Sequence, residues 1–321
     1  MKQPPSQSYF TNQNEGNRRK VVAARLSIIS NAILVLLKLI VGIWSGSISV
    51  LSEAFHSASD LVASGIALIA VRISDTPPDE RHPYGHGKAE SLSGLAEALL
   101  IFVAAGYIIY EAIIKLLQPH HSPHASVTLG IVLMGGSGLT NFFLSRYLFR
   151  VAKETDSMAL KADAAHIRTD VLTSVGVFIG LLVVRFTENN IFDPLTALGV
   201  ALLILKTTWN LANDALHLLL DERLPDGEEA KIREILETEP YVLGYHKLRT
   251  RKSGTYRYAD VHVQIDDNST LVEAHDITEA IEDRIREALP AMQVSIHIEP
   301  YHAEMKHQQE VHGLLPKDPS P

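Results

Sequence analysis

The stretch LSEAFHSASDL, Leu51 to Leu61, places His56 and Asp60 inside an otherwise apolar segment. The segment is one of six that each contain about 20 mostly apolar residues, roughly the length needed to cross the hydrocarbon core of a bilayer. The six are approximately Val21–Trp44, Ser47–Val71, Leu92–Leu117, Val127–Phe149, Ala165–Phe186 and Leu195–Leu218. They predict an all-α transmembrane domain of six helices over residues 21–220.

Composition excludes several classes of function. The 321 residues contain no cysteine, so disulfides and thiolate chemistry are ruled out. The formal net charge is −8, and all of the acidic excess follows residue 220, which argues against a nucleic-acid partner. Because 46% of the residues are hydrophobic and they concentrate in the six segments, the predicted partner of the first domain is a lipid bilayer.

Basic residues in the short loops predict the orientation of the spans. Lysine and arginine precede the first span and recur between spans two and three and between spans four and five, whereas the loops WSGSIS, QPHHSPHAS and TENNIFDP nearly lack them. Since short cytoplasmic loops are the basic ones, both termini are predicted to be cytoplasmic. Residues 1–20 lack the apolar core of a secretory signal and are predicted to be a flexible tail.

A change of pattern after the sixth span predicts a second, soluble domain. Asp226 is predicted to cap an amphipathic helix, and the alternating stretches YHKLRTR and YADVHVQID are typical of two strands joined by a turn. A second amphipathic helix, TLVEAHDITEAIEDRIREAL, precedes the strand QVSIHIEP. The prediction is an α+β domain of order αββαβ over residues 221–301, followed by a disordered polar tail over residues 302–321.

Ionisable side chains within a span need a reason, because a charge at the centre of the bilayer costs roughly 2.5 to 3.5 kcal/mol. Span two carries His56 and Asp60, and span five carries His166 and Asp170. Each pair has the spacing i, i+4, which places both side chains on one face of a helix. Two such faces turned toward each other would form a four-coordinate nitrogen and oxygen site suited to Zn²⁺.

Other interpretations apply to single polar residues in the spans. One HxxxD pair alone could be a histidine hydrogen-bonded to a neighbouring helix, but its duplication favours a metal site. Three more residues could be further ligands, or could lie at the membrane interface or pair with another charge: Glu53, Asp163 and Arg168. Side chains expected to form hydrogen bonds between helices are Asn31, Lys38, Glu97 and Asn141.

Two more groups of potential ligands lie outside the spans. In the loop DTPPDERHPYGHGKAES, Asp79, His82 and His86 are spaced by three and four residues, with a proline and a glycine bending the backbone between them. They could form a small metal site or be solvated individually. The strands of the second domain and the helix between them offer a third set, His246, His262, His297 and Glu299, with His275 as a further candidate.

Together these motifs resemble the cation diffusion facilitator family of divalent-metal/proton antiporters, and within it the bacterial zinc/iron exporters. The resemblance covers about residues 18–300. It is carried by the two HxxxD pairs, the loop HPYGHGKAES, the stretch LLLDERLPD that ends span six, and HKLRTRKSG and IHIEP in the second domain. It implies a ferredoxin-like cytoplasmic domain, a homodimer and a location in the bacterial inner membrane.

Matching positions carry the family's metal sites onto this sequence. The resemblance makes His56, Asp60, His166 and Asp170 the transport site and Asp79, His82 and His86 a loop site. It makes His246, His262, His275, His297 and Glu299 a cytoplasmic metal site that stabilises the dimer. In one common pattern of the family span two offers two aspartates. Here His56 replaces the first, which resembles the zinc-selective branch, and Glu299 stands where an aspartate is frequent.

These ligands predict a transporter and not an enzyme. Neutral imidazole and ionised carboxylate bind metal, and protons compete for the same atoms, so an inward proton gradient would drive Zn²⁺ efflux by alternating access. Fe²⁺, Mn²⁺, Co²⁺ and Cd²⁺ are alternative substrates. The rival hypotheses are a membrane metallohydrolase, with Glu53 as its general base, and a membrane-anchored metal sensor, which would not need ligands in mid-membrane.

Overall fold

The computed structural model describes residues 7–45, 48–117, 127–187 and 191–312. The chain divides into two compact units, Met1–Leu219 and Leu220–Pro321. In its described part the first unit consists of helices and the loops between them, whereas the second contains a three-stranded sheet.

The first unit has one helix for each predicted apolar segment, so the predicted all-α architecture is confirmed. These helices are α1 Gln7–Ser45, α2 Ile48–Ser74, α3 Lys88–Leu117, α4 Val127–Thr155, α5 Met158–Thr187 and α6 Phe192–Leu219. Among the residues that the structure describes, three stretches are long and apolar enough to cross a membrane by length and composition: Glu15–Val41, Lys88–Ile114 and Pro194–Leu219.

Helix α5 is central to the first unit because it contributes to both buried apolar clusters formed by the described residues. One cluster joins α5 to α1, α2 and α4, and the other joins it to α3 and α6. Small buried residues such as Ala24, Ala98 and Ala164 recur in these contacts and let helix backbones approach closely. Large apolar side chains such as Ile40 and Val103 are exposed, which suits a surface covered by lipid.

The predicted flexible tail at the N-terminus is wrong for residues 7–20, which form the first turns of α1. The prediction equated a polar stretch with disorder, but the helix runs without a break from this stretch into the apolar segment. The side chain of Lys20 is 2% exposed and forms an ion pair with Glu90 of α3, with Nζ and Oε1 2.8 Å apart. This pairing joins residues far apart in the chain, so the local sequence carries no signal for it.

The second unit has the predicted αββαβ order, followed by one more helix. Its elements are α7 Asp226–Glu237, β1 Gly244–Ser253, β2 Tyr256–Ile265, α8 Leu271–Ala288, β3 Met292–Pro300 and α9 Tyr301–His312. The strand order is β1-β2-β3, with β1 antiparallel to β2 and β2 parallel to β3. Ile232 of α7, Ile281 of α8 and Val263 of β2 belong to one buried core. Because side chains alternate along a strand, His262 lies on the opposite face of the sheet.

The two helices of this core begin differently from each other. The prediction that Asp226 caps α7 is wrong: Pro225 is the cap residue, and no side-chain hydrogen bond closes the end. Asp226 instead lies in the first turn, where its charge favours the helix dipole, and its Oδ1 is 2.7 Å from a guanidinium nitrogen of Arg223. Helix α8 has a complete capping box, formed by Thr270 and Glu273.

The predicted disordered tail is also wrong for residues 302–312, because Tyr301–His312 is the helix α9. This stretch contains neither proline nor glycine and is rich in residues with high helix propensity, including alanine, glutamate, lysine and glutamine. Its start is fixed by the backbone amide of His302, which donates to Oδ1 of Asp267 at 2.8 Å. The rest of that prediction, residues 313–321, lies outside the described residues.

Candidate metal centres

Three histidines form a row across the sheet of the second unit. His246 of β1 is the direct partner of His262 in β2, and His262 is the direct partner of His297 in β3. The ring centroids are 5.1 Å apart for the first pair and 4.6 Å for the second. A register irregularity follows His246, where Lys247 adopts a positive φ of 52°, as at a β-bulge. The period of two thus assembles imidazoles from three strands.

Glu299 lies at the centre of this row and is 6% exposed. One carboxylate oxygen, Oε1, is 2.5 Å from Nδ1 of His262, and the other, Oε2, is 3.0 Å from Nε2 of His246. Neither Oε2 of Glu299 nor Nε2 of His246 forms a hydrogen bond with a described group. This is expected of two lone pairs that point at the same cation. Ligands about 2.1 Å from one tetrahedral Zn²⁺ lie roughly 3.4 Å apart. The distance between Glu299 and His246 is close to this spacing, whereas the shorter distance between Glu299 and His262 would widen when a metal binds.

The structure brings only part of the predicted cytoplasmic ligand set together. Single ligand atoms of His246, His262 and Glu299 all lie within 4.8 Å of one another. His297 stands at the edge, with a side chain that is 65% exposed and Nε2 3.6 Å from Glu299. His275 is not in the cluster, because it is on α8, 67% exposed and 3.6 Å from Glu279 on the same helix.

The loop between α2 and α3 holds a second cluster. Asp79 contacts His82 Nδ1 through Oδ1 at 3.1 Å and His86 Nε2 through Oδ2 at 3.4 Å. Hydrogen bonds from the backbone amides of His82 and then Arg81 hold the pKa of Asp79 below its usual value. Gly85, with a φ of 77°, turns the chain so that His86 returns toward Asp79. The loop can therefore present two imidazoles and an ionised carboxylate to one cation.

The third cluster lies inside the first unit, between α2 and α5. Nε2 of His166 is 3.2 Å from Oδ1 of Asp60, and both residues are less than a tenth exposed. Asp170, one turn further along α5, completes a group whose ligand atoms lie within 4.8 Å of one another. Nδ1 of His166 is buried and has no hydrogen-bond partner among the described residues. His56 belongs to α2, but its side chain and that of Glu53 lie outside the described residues.

A hydrogen-bond network adjoins this third cluster. Oδ1 of Asp163 accepts from Oγ of Ser64 at 2.9 Å, and Oγ of Ser64 in turn accepts from Nδ2 of Asn31 at 2.8 Å. Lys38 donates to Oγ of Ser57 at 2.7 Å. Asn31 and Lys38 therefore bond between α1 and α2, as predicted. Arg168 is exposed, so it is not part of the buried cluster.

Sequence reasoning missed a buried ionic group at one end of the first unit. Glu90 accepts from Lys20 at 2.8 Å and from Oγ of Ser74 at 2.9 Å, and it also accepts from Ser157. Asp75 lies 3.5 Å from the same lysine, and burial, more than any neighbouring charge, raises its pKa. Four helices or their ends thus meet at one carboxylate. Only the tertiary packing of α1, α3 and α5 brings these residues together.

Comparison with known proteins identifies the chain. Residues 24–220 match the profile of the cation efflux transmembrane domain, and residues 224–301 match that of the cation efflux protein cytoplasmic domain. The cation-efflux pump FieF of Cronobacter sakazakii is 34% identical over 287 residues, which are 89% of this chain and 95% of that protein. The chain belongs to the cation diffusion facilitator family. FieF of Salmonella choleraesuis is 33% identical over 282 residues, 87% of this chain and 93% of that protein.

One solved structure is similar to a smaller part of this chain. The zinc form of CzrB has 32% sequence identity and covers 25% of this chain and 92% of that chain, with a TM-score of 0.24. Membership in the cation diffusion facilitator family confirms the predicted architecture, a helical membrane domain followed by a cytoplasmic domain. It also supports efflux of divalent metal cations as the function.

Proposed function

We propose that this protein exports Zn²⁺ from the cytoplasm in exchange for protons. The observation that carries the proposal is the convergence of Asp60 on α2 with His166 and Asp170 on α5, whose ligand atoms lie within 4.8 Å of one another. The sequence adds His56, one turn before Asp60, as the fourth ligand. Two imidazoles and two carboxylates suit tetrahedral Zn²⁺, and the same ligands accept Fe²⁺, Mn²⁺, Co²⁺ or Cd²⁺ less selectively.

Proton exchange follows from the chemistry of the ligands. An imidazole binds metal only when it is neutral, and a carboxylate only when it is ionised, so each proton bound at the site weakens metal binding. Zn²⁺ arriving from a near-neutral cytoplasm displaces protons, and protons from a more acidic outer side displace Zn²⁺. The inward proton gradient then drives metal outward, provided that the site opens to one side at a time. No covalent step is required.

We assign the remaining clusters and the topology to the same activity. His246, His262 and Glu299, with His297 at the edge, would hold a resident Zn²⁺ that stabilises a homodimer through the cytoplasmic domain. Asp79, His82 and His86 would bind metal in the loop. The chain would cross a bacterial inner membrane six times with both termini in the cytoplasm, as the basic loops predict. A membrane-anchored sensor is the second candidate, but it would not need the buried intramembrane cluster.

Zinc flux in proteoliposomes tests the proposal. The purified protein is reconstituted, a pH gradient is imposed, and zinc and proton movements are followed with two indicators. Wild-type protein should move Zn²⁺ up its gradient and protons down theirs, and Asp60→Ala should do neither. Asp214→Ala is the matched control, because Asp214 is an exposed carboxylate on the membrane helix α6. Zinc binding without flux would favour the sensor, and flux independent of the pH gradient would contradict antiport.

A further inference from the structure

Glu97 of α3 is a buried carboxyl group that no metal cluster uses. It is 0% exposed, and neither of its oxygens has a hydrogen-bond partner in the part of the chain that the structure describes. The sequence predicted a hydrogen bond from Glu97 to another helix, and that prediction is wrong within the described residues. A carboxylate left in this state costs several kcal/mol, because neither water nor a donor compensates its charge.

The surroundings of Glu97 are apolar and closely packed. The next residue, Ala98, belongs to a buried cluster with Ala162 of α5 and Ile204 of α6. One turn earlier, Gly94 lets α5 approach, because a Cβ at this position would lie only 3.1 Å from Cγ of Met158. Glu97 is therefore held between α3 and α5 and does not face the membrane.

Asp163 is the ionisable group on α5 that acts on Glu97 electrostatically. It too is 0% exposed; its Oδ1 accepts the hydrogen bond from Ser64, and its Oδ2 has no partner among the described groups. Asp163 is also within electrostatic reach of two members of the third cluster, the imidazole of His166 and the carboxylate of Asp60, which act on it with opposite signs. Other charged side chains described on α2, α5 and α6 are exposed: Arg72, Arg168, Lys206, Asp214 and His217. Lys161 is paired with Asp214. Glu97 therefore has no cationic neighbour among the described residues, and Asp163 has only the imidazole of His166, one turn away on α5.

Two neighbouring buried carboxyl groups with neither a lysine nor an arginine beside them are more stable when they share one proton than when both are ionised. We propose that Glu97 and Asp163 form a proton-binding site, separate from the metal ligands, that releases its proton when metal binds. The proposal deepens the antiport mechanism and rests on it. Asp163 lies three residues before His166, one turn along the same helix. The two positive charges of Zn²⁺ at His166 therefore stabilise the ionised pair, so metal uptake expels a proton from Glu97.

The proton balance of this step is simple. Before metal binds, the Glu97–Asp163 pair carries one proton and one negative charge. After Zn²⁺ binds at the neighbouring cluster, the pair carries two negative charges, and the proton leaves to the aqueous side to which the site is open. When protons return from the outer side, the pair regains its proton and Zn²⁺ is released. Part of the proton exchange would then belong to residues that never touch the metal.

The test compares proton release with zinc binding in the detergent-solubilised full chain. Glu97→Gln keeps the shape of the neutral acid but cannot ionise, so we expect it to bind Zn²⁺ and to release fewer protons per Zn²⁺ than wild-type protein. In proteoliposomes it should retain zinc–zinc exchange but lose most of the zinc accumulation driven by a pH gradient. Glu97→Asp should restore part of both. Glu111→Gln, an exposed position on the same helix, should match wild-type protein.

Infrared difference spectroscopy of wild-type protein supplies a readout that does not depend on how a variant folds. Adding Zn²⁺ at neutral pH should remove a band of a protonated carboxylic acid, and Glu97→Gln should lack that band. An unchanged proton release in Glu97→Gln, or a wild-type spectrum without such a band, would overturn the inference. Those outcomes leave the transport proposal intact if Asp60→Ala still abolishes proton-driven zinc flux. If Asp60→Ala still transports Zn²⁺, the assignment of the membrane cluster as the transport site fails.

Discussion

The membrane cluster and the sheet cluster use the same residue types in opposite proportions. In the membrane cluster the described ligands are one imidazole, His166, and two carboxylates. In the sheet a single carboxylate, Glu299, lies between the imidazoles of His246 and His262. Before any cation binds, the first cluster therefore has the larger excess of negative charge. It is also the more deeply buried, since the two sheet imidazoles are about a quarter exposed.

This difference in charge shows how the same ligand types can suit a site that exchanges its metal or a site that retains it. Buried carboxylates close to one another bind protons readily, so a metal there competes with protons. A histidine-rich site on a rigid sheet has less negative charge for protons to neutralise, and the strand register holds its ligands in place. We therefore expect metal in the membrane cluster to exchange with protons and metal in the sheet cluster to stay bound.

The largest effect is expected from removing a charged ligand of the membrane cluster. Asp170→Ala should reduce proton-driven zinc flux to the background of empty vesicles, because the remaining ligands cannot compensate the cation. Glu299→Ala removes the corresponding carboxylate of the sheet and should leave a measurable flux. Both variants are checked for folding by size-exclusion chromatography before the flux assay. Equal losses in the two variants would mean that the two clusters do not have separate roles.

The next largest effect concerns the ion pairs of the two units. Glu90→Gln leaves Lys20 buried without its closest partner and should lower the free energy of unfolding by about 3 to 5 kcal/mol. In the cytoplasmic unit, Glu282→Gln removes the more exposed ion pair with Arg286 and should change the free energy of unfolding by less than about 1 kcal/mol. Denaturant titration in detergent, with a probe in each unit, measures both. A small loss for Glu90→Gln would mean that the Lys20 charge is satisfied by Asp75 alone.

Short-range periodicity accounts for what the sequence predicted correctly. The i, i+4 spacing brings His166 and Asp170 to one face of α5, and alternation along strands brings His262 and Glu299 to one face of the sheet. Long-range packing accounts for what it missed. The Lys20–Glu90 pair and the burial of Glu97 depend on which helices become neighbours. No local sequence pattern in α1, α3 or α5 predicts which helices these are. The exclusion of His275 likewise depends on where α8 packs.

A third prediction separates the sheet ligands from the nearby histidine on α8. The double variant His246→Ala, His262→Ala should lower affinity for retained Zn²⁺ by more than about 100-fold, since direct ligands matter more than the groups that orient them. It should also weaken zinc-dependent dimerisation of the full chain. His275→Ala is the control and should change neither, because His275 lies outside the cluster. Equilibrium dialysis and analytical ultracentrifugation give the two readouts. If wild-type protein and the double variant dimerise equally with and without Zn²⁺, the metal bound at the sheet does not stabilise the dimer.

The smallest effect is expected at His56, the fourth ligand that the sequence predicts for the membrane cluster. His56→Asp keeps the i, i+4 spacing to Asp60 and replaces a nitrogen ligand with a charged oxygen ligand. Oxygen ligands and added negative charge suit larger or harder cations, so the variant should keep zinc transport and gain Cd²⁺ or Mn²⁺ transport.

The same substitution should also move the pH profile of transport. Unperturbed histidine titrates near pH 6.5 and unperturbed aspartate near 3.9, so His56→Asp exchanges a group that titrates around neutrality for a more acidic one. Zinc transport by the variant should therefore persist to lower pH than in wild-type protein. Flux assays with each metal over roughly pH 5.5 to 8, the window in which imidazole titrates, measure both changes. The control is His217→Asp, which changes an exposed histidine on α6.

If the metal preference stays as it was while the pH profile moves, His56 is a ligand, but the selectivity of the site is set by the packing of α2 against α5. If neither changes, His56 does not bind the transported metal, and the membrane cluster is the three-residue group formed by Asp60, His166 and Asp170.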